Sequence, residues 1–258
     1  MSKIVSAKLN KDMRKILFRL LVFIIAFCSG NLPINAQTAI TKPAVKNTSA
    51  RKPGSGLPIK GKLLFEDNFK NPAEYTKEYQ QVAEGWSVKA GHAKWEKSRN
   101  GVRSVWETGH MPVLVYKGSF GDAIIEVDFR FRKEEGKWAA CRISAANTEL
   151  NPRAYAASVW ANSNSNGRTL GMVLEHDEWK PGVITTVDTL MVSFQPDKWY
   201  TLRLELIGNH AKASCNGATV CGYHDLFGIP KNSISLGVGT CKHELRNFRV
   251  YEVISDPD

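Results

Sequence analysis

Several familiar catalytic signatures are missing from this 258-residue sequence. Its six histidines show no zinc-binding helical spacing, and neither a Ser/His/Asp signature nor a phosphate-cradling glycine loop occurs. No long amphipathic helix pattern is found either. These absences argue against zincin, serine-hydrolase and P-loop chemistry and favour a domain built of strands, with no metal ligands predicted.

The predicted folded part also lacks an excess of either charge. The whole chain has a formal net charge of +10, which taken alone suggests nucleic-acid or anionic-membrane binding. Residues 1–60 hold eleven of the 35 basic residues and one of the 25 acidic residues, which leaves 24 of each in the remainder. We therefore expect no nucleic-acid partner.

The N-terminal apolar run is short. Basic residues precede Leu20–Phe27 and small residues follow it, which is the order of a signal peptide. We predict a signal peptide over residues 1–36, cleaved after Ala36, and no stable membrane insertion afterwards. A retained anchor is the alternative, although the run is shorter than the roughly 20 residues that span a bilayer. The protein is thus expected to be secreted or to reach the periplasm or cell envelope.

Residues 37–60 contain no acidic or aromatic residue and are rich in proline, glycine and basic residues. Such a segment buries too little apolar surface to offset the entropy of ordering. We predict a disordered basic linker over residues 37–60, followed by one folded domain over residues 61–254.

Cysteine is scarce in the predicted domain. Four of the five cysteines lie there: Cys141, Cys215, Cys221 and Cys241. An oxidising compartment permits two disulfides, but a domain of this size does not require them. Small buried thiols are an equally good interpretation, so the disulfide pattern stays open.

The domain alternates apolar and polar residues with a period of two. In Ala123–Phe131 the odd-numbered residues are apolar, and Leu202, Leu204 and Leu206 alternate with charged residues in the same way. Short runs of this kind are separated by Asn-Gly, Pro-Gly and Gly-Asn turn signals. The pattern predicts an all-β fold of two packed antiparallel sheets.

A hairpin at residues 210–224 illustrates the predicted register. Its Asn-Gly turn at 216–217 places Cys215 opposite Ala218 and Cys221 opposite Lys212. The two cysteines are then on opposite faces and should not bond to each other.

Five segments of the domain carry a family resemblance. They read LLFEDNF, GWSVKAGHAKWE, GSFGDAIIEVDFRF, DKWYTLRLELIGNHAKASCNGATV and LRNFRVYEV. The sequence resembles a concanavalin A-like lectin/glucanase jelly roll, and more narrowly the bacterial 3-keto-disaccharide hydrolase family. The resemblance implies a two-sheet jelly-roll sandwich that binds or cleaves sugar.

The sequence departs from the family pattern at one strand. Arg142 matches an arginine that ends a family strand, but Ala156 and Ser158 stand where the family carries Glu and Gln. This departure favours a binding role over a hydrolase role.

Glycosidases use two carboxyl groups that flank the scissile bond. Glu126 and Asp128 share one face of a strand, but Arg130 and Arg132 continue that face instead of a further acid. We interpret this face as solvated and salt-bridged rather than catalytic.

A second polar set lies on the runs between 138 and 177. Alternation places Trp138, Arg142, Ser158, Trp160 and Glu175 opposite the apolar face. There Trp160 is expected to stack on a sugar ring, with Arg142 and Glu175 bonding its hydroxyls. On this hypothesis Trp160→Ala weakens binding and leaves the fold intact. An ordinary exposed sheet face is the alternative.

The run EHDEW at 175–179 is dense in titratable groups. We assign Glu175 and Asp177 as candidate catalytic carboxylates and add His176 to the ligand-binding set. Oxygen ligands in this run permit Ca²⁺, although the spacing of a calcium loop is absent and a polar strand end is favoured. No other cofactor is expected.

Two functions from different classes stay open. The first is an exported carbohydrate-binding or envelope-surface module, favoured by seven tryptophans in the folded part. The second is a glycoside hydrolase of the 3-keto-disaccharide type, favoured by Arg142, Glu175 and Asp177. The sugar and the oligomeric state are not predicted.

Overall fold

The computed structural model describes residues 59–69, 81–83, 86–88, 92–108, 111–150, 155–163, 170–177 and 183–254. The predicted signal peptide and nearly all of the predicted linker lie outside these residues. The first strand begins at Ile59, two residues before the predicted start of the domain. Within the described part, no helix is long and apolar enough to cross a membrane.

Sixteen strands are found in the described residues, together with a short 3₁₀ helix at Asp225–Gly228. The strands are β1 (Ile59–Asp67), β2 (Gln81–Ala83), β3 (Trp86–Val88), β4 (His92–Ser98), β5 (Gly101–Thr108), β6 (Val113–Phe120), β7 (Ala123–Phe131), β8 (Ala140–Ala146), β9 (Ala157–Asn162), β10 (Gly171–Asp177), β11 (Ile184–Leu190), β12 (Tyr200–Ile207), β13 (His210–Cys215), β14 (Ala218–Tyr223), β15 (Lys231–Val238) and β16 (His243–Ile254).

The strands form two antiparallel sheets of eight. The first sheet has the order β14-β13-β12-β7-β16-β5-β4, with β1 also pairing with β16. The second sheet has the order β11-β10-β9-β8-β15-β6-β3-β2. The predicted all-β, two-sheet sandwich is therefore confirmed.

The main core lies between the inner faces of the two sheets. Ile125, Val127 and Phe129 of β7 and Leu204 of β12 are buried there, as the period-two pattern predicts. The second sheet supplies residues of the same kind: Cys141, Ile143, Val159, Met172 and Leu174. The core thus follows the alternation of the strands on both sheets.

The outer face of the first sheet is covered with ion pairs. Glu126 accepts from Lys60 at 2.9 Å and from Arg203 at 3.1 Å, and Asp128 lies 3.3 Å from Arg246. Both acidic side chains are therefore neutralised by bases. The predicted salt-bridged face is found, with the difference that Glu126 is buried rather than solvated because its partners cover it.

All four cysteines of the domain are free thiols. The turn at 216–217 sets Cys215 opposite Ala218 and Cys221 opposite Lys212, as predicted. Cys215 is buried and Cys221 exposed, so the two lie on opposite faces. Burial raises the pKa of the Cys215 thiol to about 12, which keeps it protonated and unreactive.

Candidate functional site

The outer face of the second sheet gathers most of the predicted site residues. Across β8, β9 and β10, Arg142 pairs with Trp160 and Trp160 with Val173. In the adjacent row Ser158 lies between Ser144 and Glu175. These side chains point away from the main core because they alternate with its residues along each strand.

Two tryptophans form an apolar layer on this outer face. The rings of Trp138 and Trp160 stack with centroids 5.3 Å apart and an angle of 29° between their planes. They form a second hydrophobic cluster with Ala140 and Val173, against which Met111 packs. Trp160 is fully buried, with an exposed fraction of 0%. The expectation of an open stacking platform at Trp160 is therefore wrong, because that ring is already covered.

Glu175 binds the aromatic residues around it. Its Oε1 accepts a hydrogen bond from the Trp160 indole Nε1 at 2.5 Å and from the Tyr155 hydroxyl at 3.0 Å. The side chain is 2% exposed. A buried carboxylate with two such donors is fixed in position, and it fixes the orientation of both rings in turn.

Arg142 lies over the same two rings. Its guanidinium carbon is 4.8 Å from the Trp160 ring centroid and 5.5 Å from that of Tyr155. Both distances are within the range of cation–π attraction. Arg142 and Tyr155 are half-buried, so solvent reaches both of them, in contrast to Trp160 and Glu175.

Gly237 of β15 pairs with Arg142 and provides space for its side chain. A Cβ placed on Gly237 would lie 3.2 Å from Arg142 Nε and 3.6 Å from a terminal nitrogen of the same guanidinium. The missing side chain at 237 therefore lets the Arg142 side chain lie close to the sheet.

Ser158 belongs to the floor of this face. Its hydroxyl lies 3.0 Å from that of Ser144, and Ser158 is fully buried. The shared bond gives each of these two buried hydroxyls a partner within the sheet. Ser158 thus sits among the predicted ligand-binding residues as part of the layer beneath the surface.

His176 does not join the other site residues. It lies on the opposite side of β10 from Glu175. There its ring stacks on that of His224, with the ring centroids 3.7 Å apart, and forms an edge-to-face contact with Phe227. His176 therefore faces away from the other residues of the predicted set, because adjacent residues of a strand face opposite sides, and its assignment to ligand binding stays a prediction. Asp177 is on the Glu175 side and is half-buried.

A cavity of about 600 Å³ adjoins the site at one end of the sandwich. It is formed largely by the loop between β7 and β8, and its lining includes Glu134, Lys137, Trp138 and Cys241. Trp138 belongs both to this cavity and to the stacked tryptophan pair.

No group of three His, Cys, Asp or Glu side chains in the described residues is arranged to hold a metal ion. Glu178 and Trp179 of the EHDEW run lie outside those residues. Calcium binding by this run accordingly stays an expectation from the sequence.

Two residues of the site were missed by the sequence analysis. Tyr155 precedes β9 and joins the site through Glu175, a contact that no spacing rule predicts. Gly237 reads as an ordinary strand glycine until its cross-strand neighbour Arg142 is known. The high tryptophan content of the domain indicated a sugar-binding site, but it did not indicate that Tyr155 or Gly237 belongs to it.

Sandwiches of this architecture are known among solved structures. The carbohydrate binding module CBM66 from Bacillus subtilis matches over 69% of this chain and 99% of its own, with 12% identity and a TM-score of 0.51. SCLam, a non-specific endo-β-1,3(4)-glucanase of family GH16, matches over 76% and 93%, with 14% identity and a TM-score of 0.52. The CBM2 module of the evolved Dit of Lactobacillus casei BL23 phage J-1 matches over 77% and 99%, with 7% identity and a TM-score of 0.53.

These likenesses confirm the fold class, a concanavalin A-like jelly roll. Within that class, residues 77–251 match the model of the 3-keto-alpha-glucoside-1,2-lyase-like domain, and the chain belongs to this family. The predicted resemblance to 3-keto-disaccharide hydrolases is thereby confirmed. No curated protein matches the chain.

Proposed function

We propose that this domain binds a glycoside on the outer face of its second sheet. The observation that carries the proposal is the Arg142 side chain, whose guanidinium lies over two aromatic rings and which is only half-buried as a residue. Sites for small ligands commonly combine an apolar lining with a few fixed polar groups. The family match and the carbohydrate-binding module of similar fold agree with a sugar as the ligand.

The site divides into a supporting layer and a contact layer. Trp138, Trp160 and Glu175 are buried and hold their neighbours in place. Arg142 and Tyr155 are partly exposed and are the groups that a ligand would meet. The ligand contacts are thus assigned to the residues that lie over Trp160 rather than to Trp160 itself.

Removal of the guanidinium is the direct test of glycoside binding. With a glycan array to find ligands and calorimetry to measure them, Arg142→Ala is expected to reduce affinity about tenfold or more, the loss of one charge-assisted hydrogen bond. Arg249→Ala is the matched control, because Arg249 bonds Glu66 at the first sheet. Equal losses in both variants, or no glycan bound by the wild type, would contradict the proposal.

A second candidate function is cleavage of a 3-keto-glucoside, which the family match favours. In a 1,2-elimination a base removes the C2 proton, which the C3 ketone acidifies. The C2–H electron pair becomes the C1–C2 double bond, and the C1 oxygen leaves and takes up a proton. Such a reaction, like hydrolysis, requires one group to accept a proton and another to donate one.

The cleavage hypothesis assigns these proton transfers to Glu175, which is buried and bonded to Tyr155 and Trp160, and to Asp177, which is half-buried. They lie two residues apart on one face of β10, a spacing of roughly 7 Å along a strand. That spacing is compatible with the ~5 to 10 Å that separates paired carboxylates around a glycosidic bond. Asp177 is the more exposed of the two.

Cleavage is tested by conservative replacements of these two carboxylates. If the domain is an enzyme, Glu175→Gln and Asp177→Asn are expected to lower turnover about 100-fold or more while affinity changes little, since proton transfer requires the ionisable group. Product formation from a 3-keto-disaccharide and calorimetric affinity are measured on the same preparations. If the wild type binds the 3-keto-disaccharide but forms no product, cleavage is contradicted and only the binding function is supported.

We further propose that the protein is exported. The support is the order of basic, apolar and small residues before Ala36. Mass spectrometry of protein recovered from the cell envelope or medium is expected to find a new N-terminus at or near Gln37. Recovery of the chain with an intact Met1 would contradict cleavage.

A further inference from the structure

The cavity of about 600 Å³ at the end of the sandwich is built by several loops. It is lined by the loop between β7 and β8 and by residues after β9, before β12 and between β15 and β16. Backbone hydrogen bonds join the β7–β8 loop to two of the others. The Ser163 N–H donates to the Ala139 carbonyl at 2.9 Å, and the Cys241 N–H donates to the Trp138 carbonyl at 3.2 Å. These walls are thus tied to each other, as in a site that is formed before its ligand arrives.

The lining of the cavity has an apolar part and a charged part. Phe131, Trp138, Ala139 and Cys241 are buried, whereas the charged residues of the β7–β8 loop are exposed or half-buried. Sites for small ligands combine apolar surface with a few polar groups in this way. The cavity therefore fits a ligand that has an apolar body and one charged end.

The charged part of the lining has an excess of positive charge. Three basic residues line the cavity, Arg132, Lys133 and Lys137, against two acidic residues, Glu134 and Glu135. Glu134 is already bound, because it accepts from the Lys242 backbone N–H at 2.7 Å and lies 3.7 Å from the Lys242 ammonium group. Arg132 lies 3.9 Å from Asp197, but both side chains are more than half exposed and such a pair is weak. The cavity therefore favours an anionic group over a cationic one.

Trp138 adds a hydrogen-bond donor that lacks an acceptor. It lines the cavity and is 7% exposed, and its indole Nε1 has no hydrogen-bond partner among the described residues. The Nε1–H of the stacked Trp160, by contrast, is bonded to the Glu175 carboxylate. Buried donors in native proteins are normally paired. One indole of the pair thus has a carboxylate of the protein as its acceptor, and the other has none.

Thr240 supplies a second donor beside Trp138. Its Oγ1 accepts the Trp138 backbone N–H at 2.8 Å, and it lines the same cavity. A hydroxyl that accepts a hydrogen bond still has its own proton to donate. An acceptor group close to Trp138 can therefore be bound by two donors, with basic side chains around it.

We propose that this cavity binds a small organic acid with an apolar body, whose carboxylate accepts hydrogen bonds from the Trp138 indole N–H and the Thr240 hydroxyl. Arg132 and Lys133 balance its negative charge, and its apolar body packs against Phe131. The proposal does not depend on glycoside binding, since it uses neither Arg142 nor Tyr155.

Binding is tested by NMR titration of the purified protein with phenylacetate and with phenylacetamide, which has nearly the same shape but no charge. The seven tryptophans are each expected to give an indole N–H signal, and Trp138→Phe identifies one of them by its loss. Phenylacetate is expected to move the Trp138 signal downfield and to leave that of Trp199, at the first sheet, in place. It is also expected to bind about tenfold or more tightly than phenylacetamide, the fold-change of one charge-assisted hydrogen bond.

Two variants of matched charge test the basic residues. Arg132→Gln is expected to weaken phenylacetate binding about threefold, the effect of one exposed ion pair, and to leave phenylacetamide binding unchanged. Arg249→Gln is the control, because it removes the same charge at the first sheet, where Arg249 bonds Glu66. Arg132 is exposed, so its replacement tests the site even if Trp138→Phe is unstable.

Four outcomes would overturn the proposal. Equal affinity for the two probes contradicts recognition of the carboxylate, and no binding of phenylacetate contradicts an organic-acid site. Binding that leaves the Trp138 signal unmoved places the ligand outside the cavity. Equal losses in Arg132→Gln and Arg249→Gln show attraction to the net charge of the protein rather than to this site.

Discussion

Trp160→Ala is expected to lower the free energy of unfolding by about 3 to 5 kcal/mol, the range observed when a buried tryptophan is truncated. The substitution removes the ring that stacks on Trp138 and the indole N–H that bonds Glu175. It leaves a cavity in the second hydrophobic cluster and one donor fewer for a buried carboxylate. Chemical denaturation followed by circular dichroism measures the change.

Trp199→Ala is the matched control for this experiment. Trp199 directly precedes β12 of the first sheet. Its half-buried ring has its centroid 3.9 Å from the guanidinium carbon of Arg246 and 4.9 Å from that of Arg130. Loss of these contacts is expected to change stability by about 1 kcal/mol or less for each cation–π contact at a partly exposed site. If Trp160→Ala costs no more than Trp199→Ala, Trp160 is not the buried support described here.

The sequence predicted correctly on which face of a sheet each side chain lies, but it did not predict whether that face is exposed or covered by other residues. Alternation correctly assigned Ile125 and Leu204 to the main core and Trp160 to the opposite face, because a strand places successive side chains on opposite sides. The same rule does not reveal whether a face is open. Trp160 is covered by a second cluster whose members come from separate strands, and only the folded arrangement shows that cluster.

The missed features depend on non-local contacts. The edge strand β11 was not predicted, since its threonines and exposed Ile184 and Leu190 show no buried alternation. The connection from Tyr155 to Glu175 spans 20 residues, and the space that Gly237 leaves for Arg142 involves two strands distant in sequence. The family resemblance located the fold and the arginine, and the environment of that arginine required the structure.

Acidification is expected to destabilise the domain through His243. Burial lowers the pKa of His243 to about 4, below its ordinary value near 6.5. The unfolded chain therefore binds a proton between these two values that the folded domain does not bind. Stability is unaffected by this group above pH ~6.5 and falls progressively as the pH drops to ~4, by roughly 3 kcal/mol in total.

The neutral state of His243 also follows from its contacts. One ring nitrogen, Nδ1, lies 2.8 Å from the Cys241 carbonyl oxygen, and Nε2 accepts from the Ala140 backbone N–H at 3.2 Å. A ring that donates at Nδ1 and accepts at Nε2 is neutral. Protonation of Nε2 would place its N–H directly opposite the Ala140 backbone N–H, so that two donors would face each other without an acceptor. Burial raises the pKa of the adjacent Cys241 thiol to about 12, so this neighbour supplies no negative charge to offset a protonated ring.

A comparison of two histidine variants isolates this contribution from that of the carboxylates, which also titrate in acid. Denaturant unfolding at pH 7 and pH 4.5 is expected to show a loss of stability in the wild type and in His210→Gln that is larger by about 2 to 3 kcal/mol than the loss in His243→Gln. His210→Gln is the matched control, because His210 is exposed on β13 whereas His243 is buried. The absolute stability of His243→Gln at pH 7 is lower because a buried ring is lost, but only the difference between the two pH values bears on the titration. An acid loss equal in all three proteins would mean that His243 is not held neutral by burial, and an NMR titration of its ring with a midpoint near 6.5 would show the same.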